Sequence, residues 1–188
     1  GTDLLNLINE ILDLSKVESG KIELEVGEVE LPDVVQSLQA TFGEVAGSRG
    51  INFKVNYNPS ETGYTLTSDR QRLEQILKNL LSNAFKFTER QGSVTLDIHK
   101  TVPPLRLKNT NLRELDEVIS FAVTDSGIGI PESKQSVIFE AFQQADGSTK
   151  RKYGGTGLGL SLSRELANAL GGEILLDSQE GQGSTFTF

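Results

Sequence analysis

Asn79, Asn83 and Lys86 are the first residues in this 188-residue chain whose types and spacing suggest chemistry. On a helix turning about 100° per residue, they fall within about 60° of one another and form a single polar row. Such a row can hold a hard cation through amide oxygens while the ammonium steadies a phosphate; the same residues also suit a solvated helix face. Asp125 follows the alternating pair Phe121 and Val123 and enters a turn containing Gly127 and Gly129. An ionised carboxylate only accepts hydrogen bonds, so a buried one needs donors. An exocyclic amine such as that of adenine would serve, and a local Asx-turn is the plainer source. The two glycines would let backbone approach a flat base closely.

A second group is glycine-rich. Gly155, Thr156, Gly157, Leu158 and Gly159 lead into a helical pattern, where unpaired N–H groups and the positive end of the helix dipole suit phosphate oxygens. The spacing is GxGxG, not GxGxxG, and the polar residues 146–153 precede it instead of a strand, which argues against a dinucleotide-binding βαβ unit. Upstream, Lys150, Arg151 and Lys152 can reach a terminal phosphate if their loop folds over a nucleotide, or can remain a solvated charged loop. In the final segment, Gly181 to Phe186, Ser184 is a candidate for completing a contact to the base, with a plain strand hydroxyl as the alternative. The chain's one histidine, His99, lies in LDIHK and is expected to be a half-buried structural residue, not a nucleophile.

These residues need elements to hold them. Leu73, Ile76, Leu77, Leu80, Leu81 and Ala84 stripe a helix over 69–87, capped by Ser68 or Asp69, and the polar row runs along one edge of that stripe. Strands are expected at 93–101 and 117–125, the second delivering Asp125. The prolines and polar residues between them mark a long hairpin connection to which no role is assigned. A helix over 158–170, stopped by Gly171 and Gly172, follows the glycine turn, and strands at 173–178 and 184–188 close the chain. A helix from Pro131 to about Phe139 precedes residues 143–156, which have little to bury and are expected to be mobile. Earlier, the pattern predicts a helix over 4–18 with a stripe broad enough to want a partner helix, a half-buried strand or strand pair over 21–30, a core-facing helix over 32–48, and strands at 51–57 and 64–67.

Composition narrows the classes. The chain is 36% hydrophobic and 23% charged, and no apolar run approaches the ~20 residues that span a bilayer. It contains no cysteine and one histidine, which excludes disulfides and thiolate metal sites and disfavours a histidine-based zinc site. A net charge of −8 argues against a nucleic-acid surface. The opening directly on a helical pattern, without a secretory leader, is that expected of an excised fragment.

Taken in order, NLLSNAFK, DSGIG, GTGLG and GQGSTF resemble the N, G1, G2 and G3 boxes of sensor histidine kinases, and FEAFQQ, with Phe139 and Phe142, resembles the F box. LLNLINEILDLSKVESGKIEL is similar to the end of the second helix of the family's dimerisation hairpin, and ILDLSKVESG resembles the larger hybrid kinases. The resemblance implies an α/β two-layer sandwich of the Bergerat type, with a mixed β-sheet covered by helices on one face, plus an N-terminal helix. It divides the chain into residues 1–20, the end of the dimerisation helix, and residues 21–188, a catalytic ATP-binding domain. It implies ATP and Mg²⁺, with Asn83 ligating the metal, Asn79 supporting it and Lys86 touching phosphate. Asp125 would accept from adenine, Gly127 and Gly129 would shape the pocket, and Gly155, Gly157 and Gly159 would close over the phosphates with Thr156 and Leu158 between them; Arg151 and Lys152 are lid contacts. It further implies a cytoplasmic domain whose parent is a homodimer and whose partners are a phosphoacceptor-helix hairpin and a response-regulator receiver domain, while leaving the parent's membrane status open. The acceptor histidine box is missing, so no autophosphorylation in cis is expected. Two other classes compete: a non-catalytic module that acts by docking, and an ATPase of the gyrase or MutL type, which would need a following transducer domain.

Overall fold

The computed structural model describes residues 1–142 and 156–188. In chain order its elements are α1 (Thr2–Glu18), β1 (Gly27–Glu30), α2 (Leu31–Arg49), β2 (Asn52–Tyr57), α3 (Pro59–Thr62), β3 (Thr65–Ser68), α4 (Arg70–Phe87), β4 (Ser93–Thr101), α5 (Thr110–Arg113), β5 (Val118–Asp125), α6 (Glu132–Gln135), α7 (Gly159–Ala169), β6 (Leu175–Gln179) and β7 (Gly183–Thr187). The main sheet is mixed, in the order β2-β4-β5-β7-β6, with β2 parallel to β4 and the other neighbours antiparallel. β1 and β3 form a separate antiparallel ribbon. No helix among the described residues is long and apolar enough to cross a membrane.

Period-two alternation builds the sheet's inner face. Val94, Leu96 and Ile98 of β4 and Phe121 and Val123 of β5 are each at most 3% exposed, and all join one apolar core with α2, α4 and α7. Asp125 is next in the β5 row, so the alternation that buries Phe121 and Val123 turns this carboxylate toward the helices as well. Against that face α4 buries Leu73, Ile76, Leu77, Leu80 and Leu81 completely, each worth about 1.5–3 kcal/mol of transfer free energy. Phe42, Phe53 and Phe85 join α2, β2 and α4, with the Phe42 and Phe85 rings stacked at 5.6 Å and Phe53 edge-on at 5.4 Å from Phe85.

Both ends of α4 are tied down. Asp69 caps the N-terminus, accepting from Arg72 N at 3.0 Å, and its other oxygen accepts from Glu25 N at 2.8 Å. At the C-terminus the Arg49 guanidinium donates to the carbonyls of Phe85 and Thr88, and Thr88 Oγ1 donates to Ala84 O at 2.7 Å. Helix ends leave carbonyls without intrahelical partners, and Arg49, from the last turn of α2, supplies two of the missing donors.

Three expectations need correction. Within 21–30 only Gly27–Glu30 is a strand: residues 21–26 pair with no strand, and the Asp69 side chain takes the N–H of Glu25 instead. The expected helix from Pro131 shrinks to Glu132–Gln135, because beyond it Val137 N turns back to Lys134 O and Glu140 N to Val137 O, a run of tight turns. His99 is exposed, not half-buried, because the odd positions of β4 face away from the row of Val94, Leu96 and Ile98. The connection between β4 and β5 is a strap pinned to the β6 side of the sheet. Arg106 makes a bidentate pair with Asp177 at 2.7 and 2.5 Å, and the Glu173 carboxylate accepts from the N–H groups of Lys108 and Asn109.

Candidate functional site

Asn79, Asn83 and Lys86 lie on α4 along one wall of a cavity of about 840 Å³. That volume suits a ligand of several hundred daltons, since such sites run roughly 300–1,000 Å³. Asn79 Nδ2 donates to Ser163 Oγ at 3.1 Å and approaches Gly159 O at 3.5 Å, so it locks α4 to the start of α7. Asn83 is half-buried, and no described residue hydrogen-bonds its amide, which leaves its oxygen available to a ligand or ion. Burial lowers the Lys86 ammonium below its ordinary 10.5; its Nζ lies 5.5 Å from the centre of the Phe87 ring. An anion beside it would restore its usual affinity for a proton.

Asp125 lines the same cavity and is 7% exposed. Burial pushes its carboxyl above the ordinary 3.8, while hydrogen bonds from the backbone of Gly127 and Ser184 pull the other way. Gly127 N donates to Oδ1 at 2.8 Å, so the Asx-turn anticipated as the plain reading is present, and the carboxylate still faces the cavity. A side chain at Gly127 would collide with the Phe87 carbonyl, and one at Gly129, where φ is +66°, would collide with the Gln179 carbonyl. Gly129 forms part of the cavity wall; Gly127 stands behind it and sets how closely the β5 turn approaches the end of α4. Ser184, from β7, lies directly across the ladder from Asp125 and also lines the cavity.

Thr156, Gly157 and Gly159 complete the wall at the N-terminus of α7. The N-cap residue Leu158 makes no side-chain cap bond, so among the described residues the first N–H groups of that helix stay available to an anion. Leu158 is fully buried in the core and takes no part in the wall. Thr156 Oγ1 accepts from Leu158 N at 3.2 Å and donates to Glu10 Oε2 at 2.9 Å. Lys150, Arg151, Lys152 and Gly155, and the expectation of mobility over 143–155, lie outside the described residues.

The expectations from sequence omitted α1. Asp3, Asn6 and Glu10 line the cavity, on an i, i+3, i+7 spacing that puts them on one helix edge, the same signal that singled out the α4 row. Carboxylates of Asp3, Glu10 and Asp125 therefore face one ammonium, Lys86, among the described residues of the wall. A polyphosphate entering there needs added positive charge, and a hard divalent cation with oxygen ligands supplies it; the free amide oxygen of Asn83 fits that demand.

A mixed sheet, a helix row of amide and ammonium, a buried acceptor carboxylate and an uncapped helix start around one cavity define the ATP-binding catalytic domain that sensor histidine kinases use. The chain belongs to the histidine kinase-, DNA gyrase B- and HSP90-like ATPase family, which matches residues 68–188. Over its whole length it is 45% identical to the circadian input-output histidine kinase CikA of Synechococcus elongatus, of which it spans 23%. Over 99% of its length it is 39% identical to the signal transduction histidine-protein kinase BarA of Escherichia coli strain K12, of which it spans 19%. The chain thus covers about a fifth of the length of these relatives. Among solved structures it is similar to full-length ShkA in complex with AMPPNP, at 30% identity and a TM-score of 0.77 over 98% of this chain and 35% of that one. It is also similar to the nucleotide-free catalytic domain of histidine kinase ThkA, at 25% identity and a TM-score of 0.65 over 88% of this chain and 94% of that one. ThkA in complex with response regulator TrrA, 22% identical, shares the fold with a TM-score of 0.66 over 98% of this chain and 48% of that one.

Proposed function

We propose that residues 21–188 bind Mg-ATP in the α4–α7 cavity and supply its γ-phosphoryl group to a histidine outside residues 1–188, with residues 1–20 being the end of a dimerisation helix. The observation that carries this reading is the convergence of Asp125, Asn83 and the Gly157–Gly159 turn on one cavity. Asp125 accepts from the exocyclic amine of adenine. Asn83 ligates Mg²⁺ with Asn79 holding the neighbouring helix start, and Lys86 touches phosphate. Gly155, Arg151 and Lys152 contribute to the phosphate end. The metal, when bound, neutralises charge that develops on the transferring phosphoryl group, and the chain's own residues position the nucleotide. His99 is no candidate acceptor, since it lies on the exposed face of β4, away from the helix layer. The parent would pass the phosphoryl group to a response-regulator aspartate, a reading supported by the naming of its relatives and by the regulator complex of ThkA, and would be a homodimer as the family resemblance implies.

Calorimetry of residues 1–188 with Mg-AMPPNP is the test. We expect one site of micromolar to sub-millimolar affinity, weakened about tenfold or more by Asp125→Asn and by Asn83→Ala, because each removes a charge-assisted or metal-directed contact. Equal affinity in wild type and both variants would defeat the assignment.

A further inference from the structure

Ser178 lies outside the cavity wall, on β6, yet its hydroxyl touches three groups behind the Asp125 end. Ile130 N donates to Ser178 Oγ at 2.8 Å, the Gly183 carbonyl lies 3.0 Å away, and Ser184 Oγ lies 2.8 Å away. Gln135 Nε2 secures the junction by donating to Ile130 O at 2.9 Å and Ser178 O at 3.0 Å. A serine hydroxyl has one proton and two lone pairs. Ile130 N–H can only donate and Gly183 O can only accept, so the Ser178 proton goes to Gly183 and one lone pair goes to Ile130. All three contacts are satisfied only when Ser184 donates to the second lone pair. Ser184 has a single proton too. Once that proton is committed to Ser178, the Ser184 oxygen offers only lone pairs to the cavity it lines.

We infer that Ser178 is a specificity-determining residue, which acts through Ser184 by fixing that hydroxyl as an acceptor, so that the site takes a purine with an amine at position 6 and rejects one with a carbonyl there. The inference rests on the reading of the cavity as a nucleotide site. Asp125 by itself discriminates poorly: a 6-keto purine still carries an N1–H that it can donate to the carboxylate. The hydroxyl makes the difference. A 6-amino group has two N–H donors, enough for Asp125 and for Ser184. A 6-keto oxygen meets the fixed Ser184 lone pairs with a lone pair of its own, and a site built to receive a donor rejects the analogue that lacks it. Were Ser184 free to rotate, it would donate to the keto oxygen and the penalty would vanish.

The test compares Mg-ADP with Mg-IDP, whose bases differ in the group at position 6 and in the proton that the keto form carries on N1, by calorimetry on residues 1–188 as wild type, Ser178→Ala, Ser178→Thr and Ser184→Ala. Wild type is expected to prefer ADP by roughly tenfold or more. Ser178→Ala lowers that ratio about fivefold, chiefly by tightening IDP, because the released Ser184 proton finds the keto oxygen. Ser178→Thr keeps a hydroxyl at the junction and restores the wild-type ratio. Ser184→Ala lowers the ratio the other way, by weakening ADP without tightening IDP, and gives an independent reading if Ser178→Ala melts too low to titrate. A Ser178→Ala protein that loses ADP and IDP affinity in equal measure has only lost the support of the Ile128–Ile130 turn, and the inference is overturned; Ser184→Ala with an unmoved ratio overturns it too. ADP binding that ignores Asp125→Asn defeats the site assignment itself, whereas binding that depends on Asp125 with a ratio indifferent to Ser178 and Ser184 defeats this inference alone.

Discussion

At the scale of single residues, Asp125 is held at a cost to the empty protein. Its carboxyl is raised above 3.8 mainly by burial, despite the opposing backbone donors, so folding makes its ionisation harder than in the unfolded chain. The linkage sign follows: the stability contributed by this group is fully present below its unfolded value and is lost as pH rises through the higher folded value. We expect the ligand-free wild type to lose stability relative to Asp125→Asn as pH climbs from about 3.8 through the higher folded value, and the difference to level off above it. Urea melts of the two proteins at a series of pH values measure it; a difference that stays flat would mean the carboxylate is well solvated after all. Adenine binding should run the opposite way, weakening as acid protonates the acceptor. A buried acceptor of this kind stores its own demand for a donor, and an exocyclic amine meets it.

Among the elements, α4 does most to set the site, because it carries the polar row on one edge and the central core stripe on the next. Asp69 connects these tasks by capping the helix and by taking the N–H of Glu25. Asp69→Ala removes an acceptor from two backbone donors at once, and we expect a loss of about 1–3 kcal/mol in urea unfolding with an unchanged denaturant slope. Leu77→Ala, at a site with no exposure, should cost about 2–5 kcal/mol, and a loss below 1 kcal/mol would show that the stripe is not close-packed. The legibility of each element in the sequence follows the same physics. α4, β4 and β5 were readable because their burial periods are local, and with them the Asn79–Lys86 row and Asp125. Residues 21–26 were not, because their alternation resembles a strand's while the N–H of Glu25 goes to a side chain 44 positions away. His99 was misjudged for a related reason: the alternation of β4 was visible, but which of its faces the helices cover is a tertiary fact. The strap of 102–117 gave no signal, since its anchors Glu173 and Asp177 lie far along the chain. The Ser178 junction was equally hidden, for it exists only once β6, β7 and the β5 turn have met.

For the molecule as a whole, α1 rests only lightly on the domain it touches. Leu14, 7% exposed, is its one buried residue, while Leu4, Leu5, Ile8, Ile11 and Leu12 are all more than 40% exposed. Polar contacts supplement this modest apolar seat: Glu10 reaches Thr156 at 2.9 Å and Asp13 reaches Arg72 at 3.3 Å. Leu14 is the one fully seated contribution of α1 to a core that the rest of the chain otherwise supplies, so residues 21–188 should unfold in one cooperative transition at a lower midpoint than residues 1–188. The electrostatics make a sharper forecast. Removing α1 takes the Asp3 and Glu10 carboxylates from the cavity wall, and a polyanionic ligand should bind more tightly for it. We expect Mg-ADP affinity to rise by about two- to tenfold in dilute buffer and the gain to fade near 0.5 M salt, where the screening length is about 4 Å. A non-cooperative melt would make α1 an integral part of the domain and move the boundary at residue 20. A gain indifferent to salt would trace the effect to steric relief and leave the charge of α1 without influence on the nucleotide.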